Sequence, residues 1–205
     1  MEFDILISFI LATAALAISP GPDNIYVLMQ SVTHGKKYGL ATVFGLISGC
    51  IIHTSLLAFG VSAVIKNSET LYFIIKLFGA GYLLFLAYQV FKSSGSLTVT
   101  GTAVPKKSVA QLFKQGFIMN VLNPKVSMFF LAFFPGFLFS NTLNNVWQFY
   151  VLGFIFMAVS LVIFSAIAIL AGFISNYLTT NNKIGWYLKW LQIFVFIGIA
   201  IIIML

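Results

Sequence analysis

Apolar residues run through this chain in long stretches, near 4–33, 38–65, 70–91, 108–140, 146–173 and 185–205, parted only by short polar turns. The hydrocarbon core of a bilayer is about 30 Å thick and is crossed by roughly 20 apolar residues in a helix. Each stretch is long enough to cross it. Lipid offers no hydrogen bonds, so a span must satisfy its own backbone, which a helix does and an isolated strand does not. The expected fold class is therefore an all-α integral membrane protein of six transmembrane helices. With 60% hydrophobic and only 7% charged residues among 205, little chain remains for a soluble unit, and residues 1–205 read as a single transmembrane domain. The start, Met1-Glu2-Phe3-Asp4, carries acids where a signal peptide is basic, so ATAALA (12–17) is expected to be helix and the first segment to be retained.

Charge gives the six spans a direction. The cations are lysines scattered among the spans, and the net charge of +7 forms no basic, aromatic-studded stripe of the kind that binds nucleic acid. His34, Lys36 and Lys37 lie between spans one and two, Lys92, Lys106 and Lys107 between three and four, and Lys183 between five and six. The alternate loops hold Glu2 and Asp4, then Lys66 offset by Glu69, then the uncharged SNTLNN (140–145). Positively charged loops stay in the cytoplasm, so both termini are expected outside. The Ser/Thr/Gly-rich stretch 93–107 reads as a cytoplasmic linker between two three-helix repeats, about 1–92 and about 108–205. Three spans separate equivalent positions, an odd number, so the repeats are inverted.

The first and fourth spans hold breakers near their centres, SPGPDN (19–24) and LNPKVS (122–127). At about 30 residues each, both are too long for a straight crossing. Pro20, Pro22 and Pro124 have no N–H to donate and clash with the preceding turn, and Gly21 allows a non-helical backbone. Helices 1 and 4 are therefore expected to be broken near the midplane, where freed backbone groups are tolerated only beside protein or a wet cavity. Broken segments at matching positions of inverted halves mark the binding site of a transporter. Aligning Pro22 with Pro124 sets Asp23 opposite Lys125.

Lys76, Lys114 and Lys189 lie near span ends and can snorkel to the interface, but Asp23 and Lys125 cannot. One reading is a buried ion pair that only pins the halves together. The other is a site for a small zwitterion, since a carboxylate holds an ammonium, while an ammonium and free N–H groups at a half-helix N-terminus hold a carboxylate. An α-amino acid carries both groups. Asn24 and Asn123 flank the breaks, and Tyr26 and Gln30 follow Asp23 at i+3 and i+7, which adds four candidate substrate contacts; for Tyr26, packing within the bundle is an equal alternative. Asp23 is also a candidate for proton transfer. His53 lies one helical step beyond Gly45 and Gly49 on a face of small residues, and is either a proton relay, with an ordinary pKa of about 6.5, or a neutral group bonded to a neighbouring helix. Gly79, Gly81, Gly153 and Gly198 read as helix-packing positions. Cys50, the only cysteine, excludes a disulfide or a dithiol pair. With His34 and His53 the only histidines, no metal site and no cofactor are expected.

Three segments carry a family resemblance: SPGPDNIYVLMQSVTHGKKYGLATVFGLISG (19–49), KLFGAGYLLFLAYQVF (76–91) and FKQGFIMNVLNPKVSMFFLAFFPGF (113–137). In this order they resemble the lysine-exporter (LysE) family, which includes homoserine, threonine and neutral amino-acid efflux proteins of bacterial inner membranes. The resemblance implies six helices, export of amino acids and coupling to the proton motive force. By position, Pro20, Gly21, Pro22, Asp23, Asn123, Pro124 and Lys125 match the family's motif residues, whereas Ile25 and Tyr26 fall where members vary. The expected partners are then an amino-acid substrate, protons and the lipid bilayer, with a homo-oligomer left open. Against this stand a membrane oxidoreductase, which needs a second cysteine, an exporter of metal ions or other small solutes, and a scaffold or membrane enzyme that transports nothing.

The lysine bias makes a direct prediction. In a Cys50→Ser background, Ser94→Cys is expected to escape an impermeant thiol reagent in intact cells and to react after permeabilisation; labelling of intact cells would show the opposite orientation.

Overall fold

The computed structural model describes residues 3–93, 106–180 and 183–204, and every regular element among them is helical. Residues 94–105 of the expected linker, Glu2, and the side chains of Lys66 and Lys183 lie outside the described residues. Helix α1 (Phe3–Ile18) ends at Ser19-Pro20-Gly21, and α2 (Pro22–His34) leaves that break at 59° to it. Gly35, at φ 100°, makes the turn into α3 (Lys36–Leu56), and its N–H closes α2 on the Ser31 carbonyl. A π-helical turn, Leu57–Val61, carries α3 into the short α4 (Ser62–Asn67). Ser68 then caps α5 (Glu69–Lys92) by accepting from the Leu71 N–H.

The second half begins with a capping box, in which Ser108 and Gln111 satisfy each other's backbone N–H at the start of α6 (Val109–Val121). Helix α7 (Pro124–Phe133), extended by a 3-10 turn at Phe134–Phe137, departs from α6 at 50°. Asn144 caps α8 (Asn145–Ile169), and α9 (Ala171–Thr180) and α10 (Lys183–Met204) complete the chain. Four of these helices, counting α3 through Ile65 as one, are long and apolar enough to cross a membrane, and the two bent pairs bring the number to six. The fifth apolar run differs from its expected extent. It ends at Ile169, and the residues after it form the separate α9, which packs against α2 and α8. Hydropathy continues smoothly across 169–173, so the run alone gives no sign of that bend.

Helix α3 is the centre of the bundle: 56% of its spanning window is buried, against 22% in α5, 33% in α8 and 28% in α10. Its neighbours α2, α6 and α8 surround it. Glycines allow that density. A Cβ at Gly45 would overlap the Phe113 carbonyl, one at Gly116 would overlap the Thr42 carbonyl, and one at Gly49 would lie 2.7 Å from the Asn120 side-chain oxygen. Helices α3 and α6 therefore touch backbone to backbone, as the small-residue face predicts. Gly79 meets Ala132 and Gly153 meets Thr54 in the same manner, whereas Gly81 and Gly198 have nothing within 4 Å and are not packing positions. Phenylalanines, leucines and isoleucines cover the outside of α5, α8 and α10, the face that lipid would wet.

Two apolar clusters fill the interior. The larger holds Phe9, Phe129, Phe130, Phe133, Phe134, Phe137 and Phe156, with ring centroids as close as 4.1 Å between Phe130 and Phe134. Such contacts add specific ring-on-ring attraction to the burial of large apolar area. The smaller holds Val27, Val43, Leu46, Phe164 and Ala168. At the far side of the large cluster, the wholly buried Gln148 accepts from the N–H groups of Phe139 and Ser140 and donates to the carbonyls of Ser140 and Leu143, which folds the α7–α8 connection.

Packing this tight makes the glycines unequal. Gly116→Val is expected to lower the melting temperature of the detergent-solubilised protein or to block folding, since overpacking costs about 1–3 kcal/mol or more. Gly81→Ala is expected to leave the melting temperature unchanged or slightly raised.

Candidate functional site

Pro22 and Pro124 hold the same position, the first residue of the helix that follows each break. There the missing N–H costs no intrahelical bond and the fixed φ suits the helix. What a break does cost is carbonyls on its upstream side, and named side chains recover them. The Asn24 amide donates to the Ala17 carbonyl at 2.7 Å, and Lys125 Nζ reaches the Ser19 carbonyl at 3.4 Å. In the fourth span Pro124 cannot donate to the carbonyl four residues back, that of Asn120. His53 Nε2 lies 3.0 Å from that same oxygen, and the Asn123 N–H also reaches it. A carbonyl only accepts, so Nε2 carries the proton here. His53 thus bonds to a neighbouring helix and spans from α3 to the break.

Asn123 joins the two breaks. Its Oδ1 accepts from the Lys125 N–H and caps α7, while its Nδ2 donates to Asp23 Oδ2 at 2.8 Å. Asp23 is buried, with 7% of its surface exposed, and lies in the first turn of α2, where the positive end of the helix dipole favours an anion. Lys125 lies in the first turn of α7, where the dipole disfavours a cation. Besides the Ser19 carbonyl, its Nζ has the face of Phe196 at 5.2 Å and lies against Gly21, where a Cβ would come within 3.5 Å of it. Asp23 and Lys125 form no ion pair with each other: one is held by an amide, the other by a carbonyl and a ring.

These groups line one cavity of about 40 Å³, bounded by Gly21, Pro22, Asp23 and Asn24 from the first break, Asn123, Lys125 and Val126 from the second, and Phe156 and Phe164 from the two apolar clusters. It has room for a few waters and is too small for an amino acid. The N–H groups of Asp23, Asn24 and Val126 precede the first hydrogen-bonded turn of their helices and make no backbone bond. Of the residues expected from sequence, Asp23, Lys125, Asn24 and Asn123 come together at the cavity, as do Gly21 and Pro22. Tyr26 and Gln30 do not line it. His53 stands behind it, reaching it through the Asn120 backbone.

Sequence reasoning missed Asn120 and Ser160, which both line the cavity with a buried side-chain oxygen that has no hydrogen-bond partner. A signal existed: each is a polar residue well inside an apolar helix. Among the described residues, no group of three or more His, Cys, Asp or Glu is placed to hold a metal ion.

Comparison with known proteins gives a consistent picture. The family model described as "LysE type translocator" matches residues 14–205. The homoserine/homoserine lactone efflux protein of Salmonella typhimurium is 30% identical over 83% of this chain and 82% of its own length. The leucine efflux protein of the same organism is 28% identical over 94% of this chain and 91% of its own. An uncharacterized membrane protein of Vibrio cholerae is 26% identical over 89% and 88%. No solved structure matches the chain.

The bridging amide carries a prediction. Asn123→Ala removes the α7 cap, worth about 1 kcal/mol, and leaves the Asp23 carboxylate without its donor, which costs roughly 1–3 kcal/mol more. Its melting temperature is expected to fall further than that of Asn24→Ala, which frees only the Ala17 carbonyl.

Proposed function

The chain belongs to the LysE type translocator family, whose members are transporters and not enzymes, and on that basis we propose that it exports small amino acids or close derivatives from the cytoplasm. The observation that carries this reading is the unpaired state of Asp23 and Lys125 at one cavity. Two opposite charges at that depth would gain most by meeting each other. Instead, exchangeable neutral groups hold each of them. A zwitterion entering between them replaces those groups: its ammonium takes the place of the Asn123 amide at Asp23, and its carboxylate takes Lys125 Nζ from the Ser19 carbonyl. The free N–H groups at the starts of α2 and α7 add donors for the carboxylate. Asn24 and Asn123 are further contacts of this site, and Pro20, Gly21, Pro22 and Pro124 shape it.

The equivalent place of Pro22 and Pro124 supports reading the chain as two inverted three-helix repeats, with the site at the repeat interface and the breaks near the midplane. The cavity's small volume then belongs to a closed state. The Phe-rich cluster closes one side and the Val27–Phe164 cluster the other, and export requires them to part in turn. We place the protein in the bacterial cytoplasmic membrane with both termini outside. The proton motive force drives it, with Asp23 giving up the substrate ammonium as it takes a proton. Homoserine and leucine are the first substrates to test, because two relatives are named for their efflux.

Overexpression in bacteria fed dipeptides, with every amino acid in the medium quantified, is expected to show excess of one or a few. No excess of any, with the protein folded and inserted, would sink the proposal. Lys125→Ala is expected to lower both affinity and stability. Asp23→Asn is expected to lose efflux against a gradient by about tenfold or more while keeping passive exchange, because shape and hydrogen bonding survive and the titratable group does not. The double variant Asp23→Lys with Lys125→Asp separates binding from pairing: wild-type efflux from it would refute the binding roles.

A further inference from the structure

Two glutamines in this protein have no exposed surface, and their surroundings are opposite. Gln148 accepts two hydrogen bonds and donates two, so its amide is fully used. Gln30 uses neither its oxygen nor its nitrogen. The Tyr26 hydroxyl, one turn away on the same helix, completes no hydrogen bond to it. A buried primary amide stripped of water without replacement bonds is costly. Native structures keep such a group where water or a ligand completes it.

The position of Gln30 says what it would complete. At 3.6 residues per turn, Gln30 and His34 fall about 20° to either side of Asp23 around α2, with Gln30 roughly 10 Å and His34 roughly 16 Å beyond Asp23. His34 Nδ1 is likewise buried without a partner. This polar line starts at the break cavity, runs beside the smaller apolar cluster and ends at the turn before Lys36 and Lys37. Helices α3, α8 and α9 pack around α2 along it. Gln30 does not line the break cavity, so it is not part of that site as the structure stands.

We propose that Gln30 is a second solute station, which takes the polar groups of a small zwitterion and its water between the break cavity and the α2–α3 turn. It rests on the amino-acid export reading above. A primary amide suits the task because it donates to a carboxylate and accepts from an ammonium while carrying no charge. It can pass either end without holding it, and a conduction path needs sites that are favourable to enter and weak enough to leave. Val27, three residues before Gln30 on the same helix, belongs to the smaller apolar cluster, so a path past Gln30 runs along that cluster and not along the stacked phenylalanines.

The test combines transport with accessibility. In proteoliposomes, Gln30→Leu is expected to slow transport of radiolabelled L-homoserine and L-leucine by about tenfold, the effect of losing one or two hydrogen bonds along the path. Equilibrium binding to the purified protein should stay within about twofold of wild type, and the melting temperature should hold or rise, because an apolar side chain removes an unsatisfied amide. Unchanged transport would overturn the station, and so would loss of binding in step with transport, which would assign Gln30 to the break site. A second measurement stands whatever the substrate proves to be. In a Cys50→Ser background, Gln30→Cys should react with a small cationic water-soluble thiol reagent much faster than the core control Leu83→Cys. Equal rates would mean a sealed core and would refute the track. Absence of amino-acid transport by the wild type, with Gln30→Cys still reactive, would refute the export reading alone and leave a hydrated polar path for some other small solute.

Discussion

A helix broken inside lipid leaves backbone groups that the solvent cannot satisfy, and the rest of this structure is arranged to satisfy them. The first break exposes the carbonyls of Ala17 and Ser19, and the second exposes that of Asn120. Each is met by a side chain: Asn24 from its own span, Lys125 from the opposite half, and His53 from the central helix. Asn123 then ties the halves together by capping α7 with one end of its amide and holding Asp23 with the other. The breaks are therefore mutually dependent. Neither half-site is complete without atoms from the other, which is why the two spans must pack together although 100 residues separate Asp23 from Asn123.

The same arrangement explains how polar groups are kept deep in an apolar bundle. Glycines at 45, 49 and 116 bring the backbones of α3 and α6 into contact, which sets Asn120 and the α6 terminus against α3 and within reach of His53. Apolar clusters then lie on both sides, one rich in stacked phenylalanines and one that joins Val27, Val43, Leu46 and Ala168 to Phe164. Between them a cavity only a few waters in size keeps the charges from lipid.

Much of the fold is legible in the sequence. Run length and the lack of charge mark the helical spans, and the prolines mark both bends to within a residue or two. The gathering of Asp23, Asn24, Asn123 and Lys125 at one cavity is legible too, because a charge or an amide beside a proline in an apolar run is costly unless a polar site receives it. Tyr26 and Gln30 group with Asp23 because helical spacing reports a shared face, but it does not report how far along that face a cavity extends. Gly81 and Gly198 resemble packing positions because sequence does not say which side of a lipid-facing helix meets a neighbour. The turn at Leu170 is invisible because apolar composition runs through it.

Local features can be read from the chain alone: which segments are too apolar for water, where a missing N–H must interrupt a helix, and which charges lie too deep to snorkel. Those follow from transfer free energies and backbone chemistry that each residue carries with it. Which group answers which is settled by packing in three dimensions. Alignment of the two breaks sets Asp23 opposite Lys125, yet in space each has its own hydrogen-bond partner, an amide for Asp23 and a carbonyl for Lys125. His53 reaches the Asn120 carbonyl, to which Pro124 has no N–H to offer. Such pairings depend on helix crossing angles and on contacts between distant segments, and a sequence pattern, which records spacing along one helix at a time, has no term for them.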